Sequence, residues 1–159
     1  MASALKQKIE ADLKQALKDR AAEKLVTLRM LSAALHNREI EKRSKGGNPA
    51  SAGELSDEEV LEVVGREAKK RKEAAEFFMK GDRKELAEKE NSELKLLEIY
   101  LPAQMSEAEV RKIVEGVVSR MQGEKNFGKL MGETMKELKG KADAKLVGEI
   151  LKEKLTHLK

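Results

Sequence analysis

Six lysines fall between positions 125 and 145 of this 159-residue chain, against three acids, Glu133, Glu137 and Asp143. They are threaded with glycines through KNFGKLMGETMKELKGKADAK: Lys125, Lys129, Lys136, Lys139, Lys141 and Lys145, with Gly128, Gly132 and Gly140. Ammonium groups gathered at this density bind anions, and the repeating anion that they suit is phosphate. The corner LKGKADAK concentrates the charge. Lys139, Lys141 and Lys145 converge about Gly140, beside the positive N-terminal end of the helix that follows, where anions are favoured. Asp143 caps that helix and takes up amides that a phosphate would want, so the lysines hold the anion and the binding is sensitive to salt. Gly128 and Gly132 lie four apart on one helix face, each weakening a helix interior by roughly 1 kcal/mol relative to alanine. A missing side chain admits another backbone. From the glycines alone a crossing helix of the same unit is favoured over a sugar-phosphate strand.

Other chemistry is removed by subtraction. The chain has no cysteine, hence no disulfide, no thiolate nucleophile and no cysteine-held zinc. Its two histidines, His36 and His157, stand far apart in sequence with no third ligand near either, so no metal site is expected. His36, on a long apolar helix, is expected to be partly buried and hydrogen bonded. No G-x-S-x-G elbow and no phosphate loop of the G-x-x-x-x-G-K-[ST] type is present. Most carboxylates lie three or four residues from a lysine or arginine, the pattern of solvated helix faces. No catalytic residue, cofactor or metal is therefore assigned. The densest basic run, Arg66 to Lys72, is interleaved with glutamates and reads as a solvated face in preference to a binding patch. Arg29 interrupts an apolar face and is expected to form a buried salt bridge with Glu67.

The elements that must position these residues are all helices. Charged residues make up 39% of the chain and aromatics 3%, with 2 prolines, the composition of long exposed helices. Ser3 caps a first helix with a narrow stripe of Leu5, Ile9, Leu13 and Leu17. A second, from about Glu23 to Arg43, is apolar around more than half its circumference and is expected to be the central, buried helix. Residues 44–54, SKGGNPASAGE, read as a flexible loop without secondary structure. Ser56 and Glu59 form a capping box that opens a third helix, which Gly81 stops. Asp82 starts a fourth, and Pro102 forbids its continuation. Ser106 and Glu109 repeat the capping box. Asn126 caps a sixth helix, Gly140 supplies its left-handed terminus, and Asp143 starts the last.

The expected fold is all-α: an N-terminal helical bundle of four helices over 1–101, then a small three-helix domain over 102–159. A unit of that size buries only about 60% of its unfolded surface and is expected to be the less stable. Net charge is +4, and residues 102–159 hold 12 Lys+Arg against 9 Asp+Glu, most of the excess. The start, MASALKQKIEADLKQ, lacks a signal-peptide core, and no apolar run approaches the ~20 residues of a membrane span. A soluble, cytoplasmic protein with no membrane partner is expected. Few aromatics leave few platforms for stacking single-stranded bases. Recognition of a folded RNA by backbone and shape remains, and tRNA suits it better than a message.

Three stretches resemble the GatB/YqeY family: YLPAQMSEAEV (100–110), FGKLMGETMKELKGKADAKLV (127–147), and LVTLRMLSAAL with GREAKKRKEA. The resemblance covers essentially the whole chain. Similar sequence forms the tail region of the B subunit of the glutamine-dependent tRNA amidotransferase, where an all-helical attachment contacts the outer corner of the tRNA. The resemblance implies tRNA as partner, with an amidotransferase or aminoacyl-tRNA synthetase subunit as the alternative, and carries the label of carbon–nitrogen ligase with glutamine as amido-N-donor. The kinase and amidase signatures are missing, so no independent catalysis is expected. It carries the site to Lys129, Lys136, Lys139, Gly140, Lys141 and Lys145, with Gly128 and Gly132 as close-approach glycines. Where free-standing members have A-D-G, this chain has Ala142-Asp143-Ala144.

Overall fold

The computed structural model describes residues 3–46 and 53–157, and among these it contains seven α-helices and no strand. They are α1 (Ala4–Lys18), α2 (Ala22–Lys45), α3 (Asp57–Lys80), α4 (Lys84–Glu98), α5 (Glu107–Arg120), α6 (Phe127–Leu138) and α7 (Ala144–His157). The chain divides into two compact units, Met1–Leu101 and Pro102–Lys159. None of the helices is long and apolar enough to cross a membrane.

Local signals set the boundaries. Ser3 caps α1 by accepting from the Lys6 amide at 3.0 Å. Ser56 and Glu59 close a reciprocal capping box on α3, and Ser106 and Glu109 close the same box on α5. α1 and α3 both end in six-to-one turns, Ala21 N–H to Ala16 O at 3.1 Å and Arg83 N–H to Phe78 O at 2.8 Å. The left-handed residue in each is not glycine: Arg20 has φ 53° and Asp82 φ 55°. Asp82 therefore finishes α3 instead of capping α4, whose N-cap, Arg83, makes no side-chain cap bond. Gly81 precedes the left-handed position, at φ −87°. Of the stretch 44–54, Ser44 and Lys45 belong to α2, because the helix runs one turn past the point where its apolar pattern stops. Residues 47–52 lie outside the described residues.

The capping boxes carry a pH dependence. The Ser106 backbone amide holds the Glu109 carboxyl below the usual carboxylate range. The Lys42 ammonium, then the Ser56 amide, do the same for Glu59. A carboxyl lowered on folding stabilises the fold above its unfolded pKa of about 4.3, and that stabilisation is lost as pH falls through the folded value. Melting temperature is expected to drop between about pH 5 and pH 3. Glu59→Gln with Glu109→Gln keeps the caps and should flatten that drop; an unaltered profile would assign acid sensitivity to other carboxylates.

In the first unit Ile9, Ala16, Leu28, Leu31, Leu35, Val60, Val64 and Leu97 form the core. Tyr100 closes it, its hydroxyl donating to Asp12 at 2.5 Å. Burial, then the Asp12 carboxylate, push this phenol well above its ordinary range. α2 is not the enclosed central helix that its composition suggests. Thr27, Leu28, Leu31 and Leu35 are buried, whereas the opposite face, Val26, Met30, Ala33 and Ile40, is exposed. Neighbouring helices bury the Leu28–Leu31–Leu35 face, and on the other face Met30 reaches α3 with its sulfur while staying 46% exposed.

The buried cation of this unit is Arg71, not Arg29, which is exposed. Arg71 lies on the inward stripe of α3 between Ala68 and Ala75. Its Nε is 2.8 Å from Glu93 and 3.7 Å from Glu90 on α4, and its guanidinium lies 3.8 Å from Glu67. Met30 Sδ accepts from it at 3.6 Å. The Nε–Glu93 pair is close but out of line for a hydrogen bond, and Glu90 Oε2 makes none. Arg66, Lys69 and Lys70 stay outside on carboxylates of their own helix, the solvated face read from sequence. His36 is also outside, its side chain 67% exposed and 3.6 Å from Glu39.

The second unit packs α5, α6 and α7 around Val110, Val114, Leu130, Leu138, Val147, Ile150 and Leu151. Thr134 is fully buried there and satisfies its hydroxyl on the Leu130 carbonyl at 2.7 Å.

Candidate nucleic-acid interface

α6 starts where Asn126 Oδ1 accepts the Lys129 amide at 3.0 Å. It buries Leu130, Thr134 and Leu138, which fixes what faces out. Gly128, Lys129, Gly132 and Lys136 are all exposed. Lys129 and Lys136 are seven apart, two turns or roughly 10 Å along the axis, with Gly132 between them.

Among the described residues of this unit no helix crosses this face. A Cβ placed on Gly132 would meet nothing within 4 Å, and one on Gly128 would meet only Asn126 Oδ1, at 3.3 Å. The crossing helix favoured from the sequence is therefore absent. Gly65 and Gly116 are equally open, so openness alone does not mark a site. The buried glycine of the unit is Gly148 on α7, against the Phe127 ring: a Cβ there would lie 3.7 Å from its Cζ.

The corner after α6 is a tight turn. Lys139 has φ −56° and ψ 122°, Gly140 has φ 77°, and the Lys141 amide donates to the Leu138 carbonyl at 2.9 Å. That is a type II turn, which requires φ above zero at its third residue, the reason for glycine at 140. The turn is strapped to the segment after Pro102. Met105 N–H donates to Lys141 O at 2.8 Å and Gln104 Nε2 to Gly140 O at 3.1 Å. Asp143 accepts the Lys145 amide at 3.0 Å as the cap of α7, and Ala144 is the first residue of that helix. Any anion here is held by ammonium groups more than by α7 amides.

Ion pairs are unevenly distributed over the unit. The seams between helices are laced: Arg111 to Glu153 at 2.8 Å, Arg120 to Glu137 at 2.9 Å and Lys154 to Glu115 at 2.5 Å. On α6, Lys129 lies 3.3 Å from Glu124, and Lys136 pairs with Glu133, both lysines largely exposed. Lys125, Lys141 and Lys145 are exposed and have no carboxylate partner among the described residues. Lys139 is exposed in the turn itself. Exposed lysines without a carboxylate partner thus lie just before α6, at Lys125, and just after it, at Lys141 and Lys145. Sequence reading placed Phe127 in the family pattern without a site role and passed over Lys152; their ring and ammonium group meet across α6 and α7 at 5.8 Å. The spacing Gly148 to Lys152, one turn on a single helix, was the available signal. Among the described residues no group of three or more potential ligands is placed to hold a metal.

The architecture of the described residues defines an all-helical protein of two units. The chain belongs to the YqeY-like protein family, whose family model matches residues 6–155. It is 44% identical over 69 residues to the E subunit of glutamyl-tRNA(Gln) amidotransferase of Methanocaldococcus jannaschii, a match covering 40% of this chain and 11% of that protein. Over 151 residues it is 27% identical to altered inheritance of mitochondria protein 41 of Pyrenophora tritici-repentis, covering 92% of this chain and 78% of that protein. An uncharacterized protein of Schizosaccharomyces pombe is 41% identical over 68 residues, which cover 43% of this chain and 52% of that protein.

Proposed function

We propose that this protein binds tRNA through the outer face of α6 and the Gly140 turn, holding phosphates and shape rather than reading bases, in a cytoplasmic setting and without catalysing a reaction itself. The observation that carries the reading is the segregation of charge. Arg111, Arg120 and Lys154 are neutralised across helix seams, while Lys125, Lys141 and Lys145, close in sequence to the ends of α6, are exposed without a carboxylate partner among the described residues, as Lys112 and Lys152 also are. Similarity to a protein named for glutamyl-tRNA(Gln) supports the same ligand class. It also supports a second reading, in which the open glycines admit a helix of an amidotransferase or synthetase subunit.

Two variants separate these. Replacing Lys139, Lys141 and Lys145 by alanine is expected to weaken binding of total tRNA uniformly across species. The slope of log K against log salt should flatten by roughly 0.7–0.9 for each phosphate no longer held. Melting should stay within about ±0.5 kcal/mol, because the lysines are exposed. Gly132→Leu meets open space and gains helix propensity, so it should raise stability by up to about 1 kcal/mol while obstructing close approach. Unchanged tRNA affinity and salt slope in the lysine variant would sink the phosphate reading. If in addition Gly132→Leu abolished capture of a purified amidotransferase subunit, the protein-docking reading would replace it.

A further inference from the structure

We infer that Phe127 and Lys152 form a subsite for a single unpaired nucleobase and its phosphate, next to the lysine face; this rests on the RNA reading above. Phe127 is the first residue of α6, and its ring is 36% exposed. Its inner edge rests by the buried Gly148, where the missing side chain leaves room beside the ring. Lys152, one turn further along α7, stands 5.8 Å from the ring centroid and has no carboxylate partner among the described residues. Leu155 and Thr156 complete a shallow recess of about 380 Å³ with these two. The Thr156 hydroxyl donates back to the Lys152 carbonyl at 2.8 Å, which occupies its proton, so the lining of the recess is mainly apolar.

A mainly apolar lining, one aromatic ring and one free ammonium group are what a splayed-out base needs: a surface to stack on and a cation for its phosphate. The recess is shallow and small, near the lower limit of small-molecule sites at about 300 Å³, a scale that suits a single planar ring system. The charge points the same way. Lys125 precedes the ring by two residues and Lys129 follows it by two, so the strand that delivers the base already runs along the cationic face. Glu153, next to Lys152, pairs with Arg111 at 2.8 Å, and Glu124 lies on Lys129 at 3.3 Å; neither these nor the exposed Glu149 pairs with Lys152. Scarcity of aromatics in the composition thus does not exclude stacking; in the second unit it leaves Phe127 as the one aromatic residue to stack on.

The test uses the full-length protein and two RNAs with equal numbers of phosphates, a hairpin whose loop carries 2-aminopurine and a blunt duplex. The wild type is expected to bind the hairpin about tenfold tighter than the duplex, within the range measured for one base stacked on an aromatic side chain, and to change the 2-aminopurine fluorescence. Phe127→Leu should bring hairpin binding down to the duplex level and abolish the fluorescence change, with helix content and melting checked by circular dichroism. Phe127→Trp should retain both signals, and Lys152→Ala should lower hairpin affinity and reduce its salt slope by about one phosphate. Equal binding of hairpin and duplex by the wild type, or a preference that survives Phe127→Leu, overturns the subsite while leaving the lysine reading intact. Loss of the fluorescence change to a competing aromatic peptide, without loss of duplex binding, would assign the recess to protein instead. Failure of the wild type to bind either RNA removes both proposals.

Discussion

Arg71→Met is expected to destabilise the unit Met1–Leu101 by about 3–5 kcal/mol, the range for breaking a buried ion pair by removing one partner. The side chains of Arg71 and Glu93 are only 10% and 8% exposed, so the methionine would leave Glu93 with its charge uncompensated and Glu90 and Glu67 without their shared cation. Surface pairs of the same chain, such as Lys69 with Glu73, should contribute about 0–1 kcal/mol by comparison. The discriminating variant is Arg71→Met with Glu93→Leu. A buried pair exchanged for apolar groups of similar volume is often neutral or stabilising, so the double variant should recover most of the loss. Urea unfolding followed by circular dichroism measures both. A single variant within about 1 kcal/mol of wild type would mean that water reaches the α3–α4 seam and that the cluster is solvated.

How far the sequence disclosed this depends on the range of each interaction. Caps are local, and Ser3, Ser56, Ser106, Asn126 and Asp143 each start the helix they were expected to start. Asp82 shows the limit even there, since a left-handed residue finishing one helix has the same sequence signature as a cap starting the next. Arg71 was legible in principle. It falls three residues after Ala68 and four before Ala75, on the apolar stripe of α3, but the four other cations between 66 and 72 masked its phase. Arg29 sits on α2, where apolar residues occupy two faces, and composition cannot say which of them a neighbour covers. The structure buries the Leu28–Leu31–Leu35 face and leaves Arg29 with Val26 and Met30 outside. The glycines of α6 pose the same problem. Spacing shows that Gly128 and Gly132 share a face, but whether another backbone lies against it depends on long-range packing, and here none does. Gly140 needed no such information, because its left-handed turn is specified by the four residues that make it.

We propose that the two units melt separately, and Leu130→Ala tests this with the second large effect. Leu130 is fully buried among Val110, Val114, Leu138, Val147, Ile150 and Leu151. Truncation of a buried leucine costs about 2–5 kcal/mol. The unit Pro102–Lys159 has 58 residues, which at roughly 0.05–0.15 kcal/mol per residue gives a total of only about 3–9 kcal/mol. At the middle of both ranges, about 3.5 of 6 kcal/mol, one leucine side chain is over half of its stability, and Leu130→Ala should leave this unit largely unfolded at about 37 °C. The first unit has its own core, from Ile9 to Tyr100, and its transition should keep the wild-type midpoint. The expected record is a thermal melt in two steps, the earlier one moved down by the substitution, with tRNA binding lost at the earlier step. Amide exchange resolves the same result by residue, protection disappearing from α5, α6 and α7 and persisting in α1 to α4. A single transition, displaced as a whole by Leu130→Ala, would show that the units share one cooperative core and that Pro102 marks a turn, not a boundary.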